Sequence, residues 1–61
     1  MPKYNITIRD HSNPRDTLMP TYTGTFIAES PEEATKQAED FYALELDTFA
    51  DSIEIVDIIT T

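Results

Sequence analysis

Tyr4, Ile6 and Ile8 alternate with Asn5, Thr7 and Arg9, the two-residue period of a strand with one buried face. A first strand is predicted over residues 3–9. Residues 10–20 are crowded with Asp, Ser and Asn around Pro14 and Pro20, so neither helix nor strand should persist, and the segment reads as a long hairpin loop. Residues 21–28 are β-branched and aromatic and form the second predicted strand. Tyr22, Phe26 and Ala28 share a face with Gly24, while Thr21, Thr23, Thr25 and Ile27 share the other. A lone glycine inside a strand points to a bulge or to close contact with a neighbouring side chain.

Ser30-Pro31-Glu32-Glu33 marks a helix start. Serine caps the first free amides, proline fits the first helical position, and Glu33 stands where a capping box needs it. Ala34, Ala38, Phe41, Tyr42 and then Leu44 or Glu45 follow the 3.6-residue spacing of an apolar stripe, with Glu32, Lys36, Glu39, Asp40 and Glu45 turned to water. The helix should end near Leu46. After a connection over residues 47–52, Ile53-Glu54-Ile55-Val56-Asp57-Ile58-Ile59 reads as the third strand.

The order β-β-α-β predicts an α+β fold, a three-stranded antiparallel sheet with one helix packed on one face, and the first strand in the middle. Ile6, Ile8, Phe26, Ile53 and Ile55 are expected to pack against Ala34, Ala38, Phe41 and Leu44. The last strand does not fit strict alternation, which places Asp57 beside Ile53 and Ile55 and sends Val56 and Ile58 to the back with Ile27. Either a bulge near Val56 shifts the register, or the back of the sheet carries an apolar patch of Ile27, Val56 and Ile58. Such a patch suits a homodimer, and association would help so thin a core.

Length and composition narrow the function. At 61 residues the chain is a single domain, and domains of this size bury only about 60% of their unfolded surface. There are no cysteines, which removes disulfides, thiolate metal sites and cysteine nucleophiles. The apolar runs are too short to span a bilayer, so no membrane association and a cytoplasmic setting are expected. His11 is the only histidine and sits beside Asp10 in a loop, and the single glycine leaves no phosphate-cradling loop. Asp47 and Asp51 straddle Phe49 without the ligand spacing of a calcium loop. No catalytic residue, metal site or cofactor is assigned, and an enzyme is not expected.

Charge carries the functional signal. Twelve acidic residues face four basic ones, for a net charge of −8 and an isoelectric point near 4.1. Residues 1–28 hold three cations against two carboxylates, a net +1, whereas residues 29–61 hold ten carboxylates against Lys36 alone, a net −9. Direct contact with DNA or RNA is disfavoured by that balance. The reverse is the leading expectation: Glu32, Glu39, Asp40, Glu45, Asp47 and Asp51, with Glu54 and Asp57 on the sheet, imitate phosphates and occupy the basic surface of a nucleic-acid-binding protein or complex. Acids at the helix start have a structural reason as well, since they suit the positive end of its dipole. A second surface is expected in the hairpin loop, where Leu18 and Met19 fold back over the sheet edge near Arg9, His11 and Arg15.

The frame Tyr4-x-Ile6-x-Ile8, then Gly24-Thr25-Phe26-x-Ala28-x-Ser30-Pro31-Glu32-Glu33-Ala34-x-x-x-Ala38, then a closing aliphatic strand resembles small β-β-α-β proteins of phage and mobile elements, including the DpnD/PcfM-like group. In size and acidity the chain is also similar to phage anti-defence inhibitors such as anti-CRISPR and anti-restriction proteins. These resemblances imply a non-enzymatic inhibitor of a host nucleic-acid-processing or defence complex, acting in the host cytoplasm. The alternative is a small accessory or structural protein that assembles through its sheet edge or back face.

Overall fold

The computed structural model describes residues 2–12 and 19–61, in the order β1 (Lys3–Asp10), β2 (Thr21–Ile27), α1 (Pro31–Glu45), a short 3₁₀ turn (Ala50–Ser52) and β3 (Ile53–Thr60). The strands lie side by side as β2-β1-β3, and β1 is antiparallel to both neighbours. This is the small α+β architecture that the periodicities predict. The expectations for Arg15 and Leu18 lie outside the described residues.

Among the described residues β1 alone is paired on both sides, and it holds the fold together. Its Tyr4, Ile6 and Ile8 are buried, opposite Phe26, Gly24 and Tyr22 of β2. The core is completed by Ala28, Ala34, Ala38, Tyr42 and Ile53, with Phe26, Leu46, Ile55 and Ile58 packed at its margin. Among the described residues, Ile6 and Ile8 are the large side chains fully withdrawn from water, each contributing about 1.5–3 kcal/mol of burial.

The register of β3 answers the misfit in its sequence. Ile8 lies opposite Ile55 and Thr7 opposite Asp57, so Val56 is one residue too many and forms a bulge. The bulge changes the parity of the strand. Ile53 and Ile55 face the core before it, and Ile58 packs against the core after it, opposite Ile6. Asp57 joins Thr7 on the open face, which spares an unpaired carboxylate the cost of burial. The expectation that Ile58 stands on the back of the sheet is therefore corrected. What remains exposed there is Ile27 and Ile59, with Val56 at the bulge, set among Thr7, Thr23, Thr25 and Asn5.

α1 begins as its sequence requires. The Glu33 amide donates to Ser30 Oγ at 3.2 Å, and Pro31 occupies the first turn. Its buried face is Ala34, Ala38 and Tyr42, a four-residue stride that lets the helix lie close to the sheet. Two expected core residues stand elsewhere. Phe41 is half-exposed and packs edge-on against Phe26, with ring centroids 5.8 Å apart. Leu44 is 85% exposed, because two residues beyond Tyr42 is a rotation of about 200°.

Gly24 meets a side chain, as a lone strand glycine suggests. A Cβ built on it would stand 2.6 Å from the Tyr42 hydroxyl oxygen. Tyr42 in turn is held by Tyr22, Phe26 and Phe41, at centroid separations of 6.0, 6.1 and 5.0 Å.

Candidate functional site

The eight carboxylates singled out by sequence do not form one surface. The helix covers one face of the sheet, and Glu54 and Asp57 lie on the other. Glu54 Oε1 hydrogen-bonds with His11 Nε2 at 2.5 Å and ion-pairs with Arg9 Nη1 at 3.6 Å. Asp57, opposite Thr7, belongs to the open face, on which Thr7, Thr23, Thr25 and Asn5 pair with one another. Thr7 and Thr23 share a hydroxyl hydrogen bond of 2.9 Å, and Thr25 Oγ1 donates to Asn5 Oδ1 at 2.8 Å. Among the described residues, the ion pairs are those of Glu54.

The helix holds the larger share. Glu32 and Asp40 sit two four-residue strides apart on the solvent side, about 12 Å along the axis, with Lys36 midway between them. Glu32 and Glu33 occupy the first turn, where the dipole already favours them. Lys36 is the last cation of the chain. From residue 39 to residue 51, Glu39, Asp40, Glu45, Asp47 and Asp51 follow with no basic residue between them. Glu39 is partly buried and the other four are exposed.

The end of the helix is the least favourable place for that charge. Thr48 N donates to Ala43 O at 2.8 Å and Asp47 N donates to Leu44 O at 3.3 Å, the pair of bonds of a Schellman turn. Its left-handed position, φ 53°, is filled by Asp47 and not by the usual glycine. No basic residue stands in the last turn, so Glu45 and Asp47 face the negative end of the dipole uncompensated. In the sequence Asp47 reads as one acid among several, but in the structure it breaks two local preferences at once. The visible signal was an acidic residue where a helix-ending glycine belongs.

Exposed apolar groups flank these acids. Leu44 is 85% and Phe49 80% exposed, and both belong to the stretch that carries Glu45, Asp47 and Asp51. The 3₁₀ turn that follows Phe49 returns the chain to the sheet, and Ser52 N donates to Phe49 O at 2.9 Å. Met19, expected to fold over the sheet edge, is partly exposed.

Among the described residues a titration shift lies in the core. Burial pushes the Tyr42 hydroxyl above its ordinary pKa of 10.0, since the phenolate would be desolvated there. Among the described residues, no group of three or more His, Asp or Glu side chains is placed to hold a metal ion, and no helix is long and apolar enough to cross a membrane. No family model matches this chain, and neither does any curated protein or solved structure.

Proposed function

We propose that this protein is a non-enzymatic acidic binding protein that docks on the basic, nucleic-acid-binding surface of a processing or defence complex in a host cytoplasm and inhibits it by occupying the phosphate sites. The observation that carries this reading is the cation-free run of Glu39, Asp40, Glu45, Asp47 and Asp51 at the C-terminal end of α1 and the turn beyond it. Charge placed against the helix dipole and on a left-handed residue lowers stability, and departures of that kind from local preference are the ones expected where a surface serves a partner.

The geometry also limits the claim. α1 spans about 22 Å, over which duplex DNA carries about 13 phosphate charges, whereas the helix carries five carboxylates and one lysine. It imitates a few phosphates at one end of a groove, not a length of duplex. Glu54, already engaged by Arg9 and His11, and Asp57, on the opposite face, contribute to the general field and not to the contact. Leu44 and Phe49 supply the apolar contact that a purely electrostatic surface lacks.

Charge reversal tests the reading. Glu39→Lys, Asp40→Lys and Asp47→Lys together abolish association with the target. Wild-type affinity falls with added salt, but less steeply than that of nucleic acid for the same groove, because separated carboxylates hold fewer condensed counterions to release. A target bound equally well by the triple variant, at low and high salt alike, overturns it.

A further inference from the structure

Among the described residues the sheet has two unpaired edges, and they differ. Among the described residues β2 and β3 each pair only with β1. β3 is interrupted at Val56 by its bulge and carries Glu54 and Asp57, devices that blunt an edge against pairing. β2, Thr-Tyr-Thr-Gly-Thr-Phe-Ile, is continuous in register with β1, has no proline and no charged side chain, and is rich in β-branched and aromatic residues. In a chain of net charge −8 it is the edge at which a second copy meets the least repulsion.

Hydrogen-bond phase shows which groups this edge offers. Just beyond its two ends, Ala28 N donates to Pro2 O at 3.3 Å and Asp10 N donates to Pro20 O at 2.9 Å. Both pairs are in phase with Tyr4–Phe26, Ile6–Gly24 and Ile8–Tyr22, so antiparallel alternation makes those the hydrogen-bonded pairs with β1. Thr21, Thr23, Thr25 and Ile27 therefore turn their N–H and C=O groups to the free edge. Gly24 is the middle residue of the strand, three from either end.

We infer that two copies of this chain pair antiparallel through β2, about a two-fold axis at Gly24, into a continuous six-stranded sheet. In that register Thr23 meets Thr25 of the second copy and Thr21 meets Ile27, and the four outward residues of each copy form up to about eight main-chain hydrogen bonds. Gly24 meets its counterpart at the close, non-hydrogen-bonded spacing, where the absence of a side chain lets both strands approach. The hydroxyl ladder of Thr7 and Thr23 continues across the junction on the open face, and no like charges stand opposite one another on the paired strands. The acidic end of α1 takes no part, so this pairing is independent of the partner surface proposed above.

Light scattering on the full chain over a concentration series is expected to show a reversible monomer–dimer equilibrium. Amide hydrogen exchange of the wild-type protein, read residue by residue, shows Thr23 and Thr25 gaining protection as concentration rises while Ile55 and Ile58 do not. Thr23→Pro removes an outward main-chain donor from each copy and no main-chain bond to β1, at the cost of the exposed hydroxyl bond to Thr7, and it weakens the dimer by at least about tenfold while far-UV circular dichroism stays unchanged. A monomer at every concentration, protection gained on β3 in place of β2, or a folded Thr23→Pro variant that dimerises as the wild type does would overturn the inference. Should that variant fail to fold, the wild-type exchange pattern decides alone.

Discussion

The Tyr42 hydroxyl oxygen occupies the place where Gly24 would carry a side chain, 2.6 Å from the ideal Cβ position. In an ordinary strand Gly→Ala gains about 0.5–1 kcal/mol from reduced chain entropy. Here the sign reverses. The phenol tip cannot swing away, because Tyr22, Phe26 and Phe41 hold its ring, so Gly24→Ala is expected to cost about 1–3 kcal/mol. In the Tyr42→Phe background much of that cost disappears. Thermal melts of the four proteins of this cycle measure the coupling, and additive effects would disprove the contact.

The same hydroxyl makes the fold sensitive to alkali. Burial raises the pKa of Tyr42 above the ordinary 10.0, so the folded state keeps its proton at a pH where the unfolded chain has begun to lose it. Its contribution is complete below pH 10 and is lost as pH climbs from there through the folded-state value. Denaturant midpoints measured from pH 8 to 12 should fall above about 10, and Tyr42→Phe should flatten that fall. A variant as alkali-sensitive as the wild type would contradict it.

Adjacent positions on β3 report its register. Ile58 packs against the core and Ile59 is exposed on the other face. Ile58→Asp is expected to cost more than about 3 kcal/mol, enough to unfold a core this small, whereas Ile59→Asp stays within about 1 kcal/mol. Strict alternation without the Val56 bulge predicts the opposite order. Circular dichroism and melting temperature separate the two.

Asp47→Gly places the preferred residue in the left-handed position and removes a carboxylate from the negative end of the helix. A gain of about 1 kcal/mol, or about 4–8 °C in melting temperature, is expected. If Asp47 serves the partner, the stabilised variant binds that partner more weakly. Lower stability on substitution would show that the Asp47 side chain contributes something the turn geometry does not reveal.

Local signals made most of the fold legible. Ser30-Pro31 and the alternation of Tyr4, Ile6 and Ile8 are decided by neighbours in sequence, and the structure realises them with boundaries shifted by a residue at most. What escaped depends on distant contacts. Whether Asp57 or Ile58 faces inward is a choice between burying a charge and inserting a bulge, and only pairing with β1 makes it. Leu44 fits a loosely drawn apolar stripe, but the stride from Ala34 through Ala38 to Tyr42 turns it to water. The acidic surface was legible as composition and not as shape. Glu54 is engaged by Arg9 and by His11, a residue 43 positions away, and the sheet separates it from the helix acids.

The central claim is that the carboxylates of residues 39–51 stand in for phosphates. Its most direct measurement is oligonucleotide competition on the immobilised protein. Proteins captured from host extract are challenged with an excess of DNA or RNA oligonucleotide, beside the Glu39→Lys, Asp40→Lys and Asp47→Lys triple variant. The account predicts that the captured species are released by the oligonucleotide and are not retained by the triple variant. Capture that survives the oligonucleotide and is unchanged by charge reversal would contradict it.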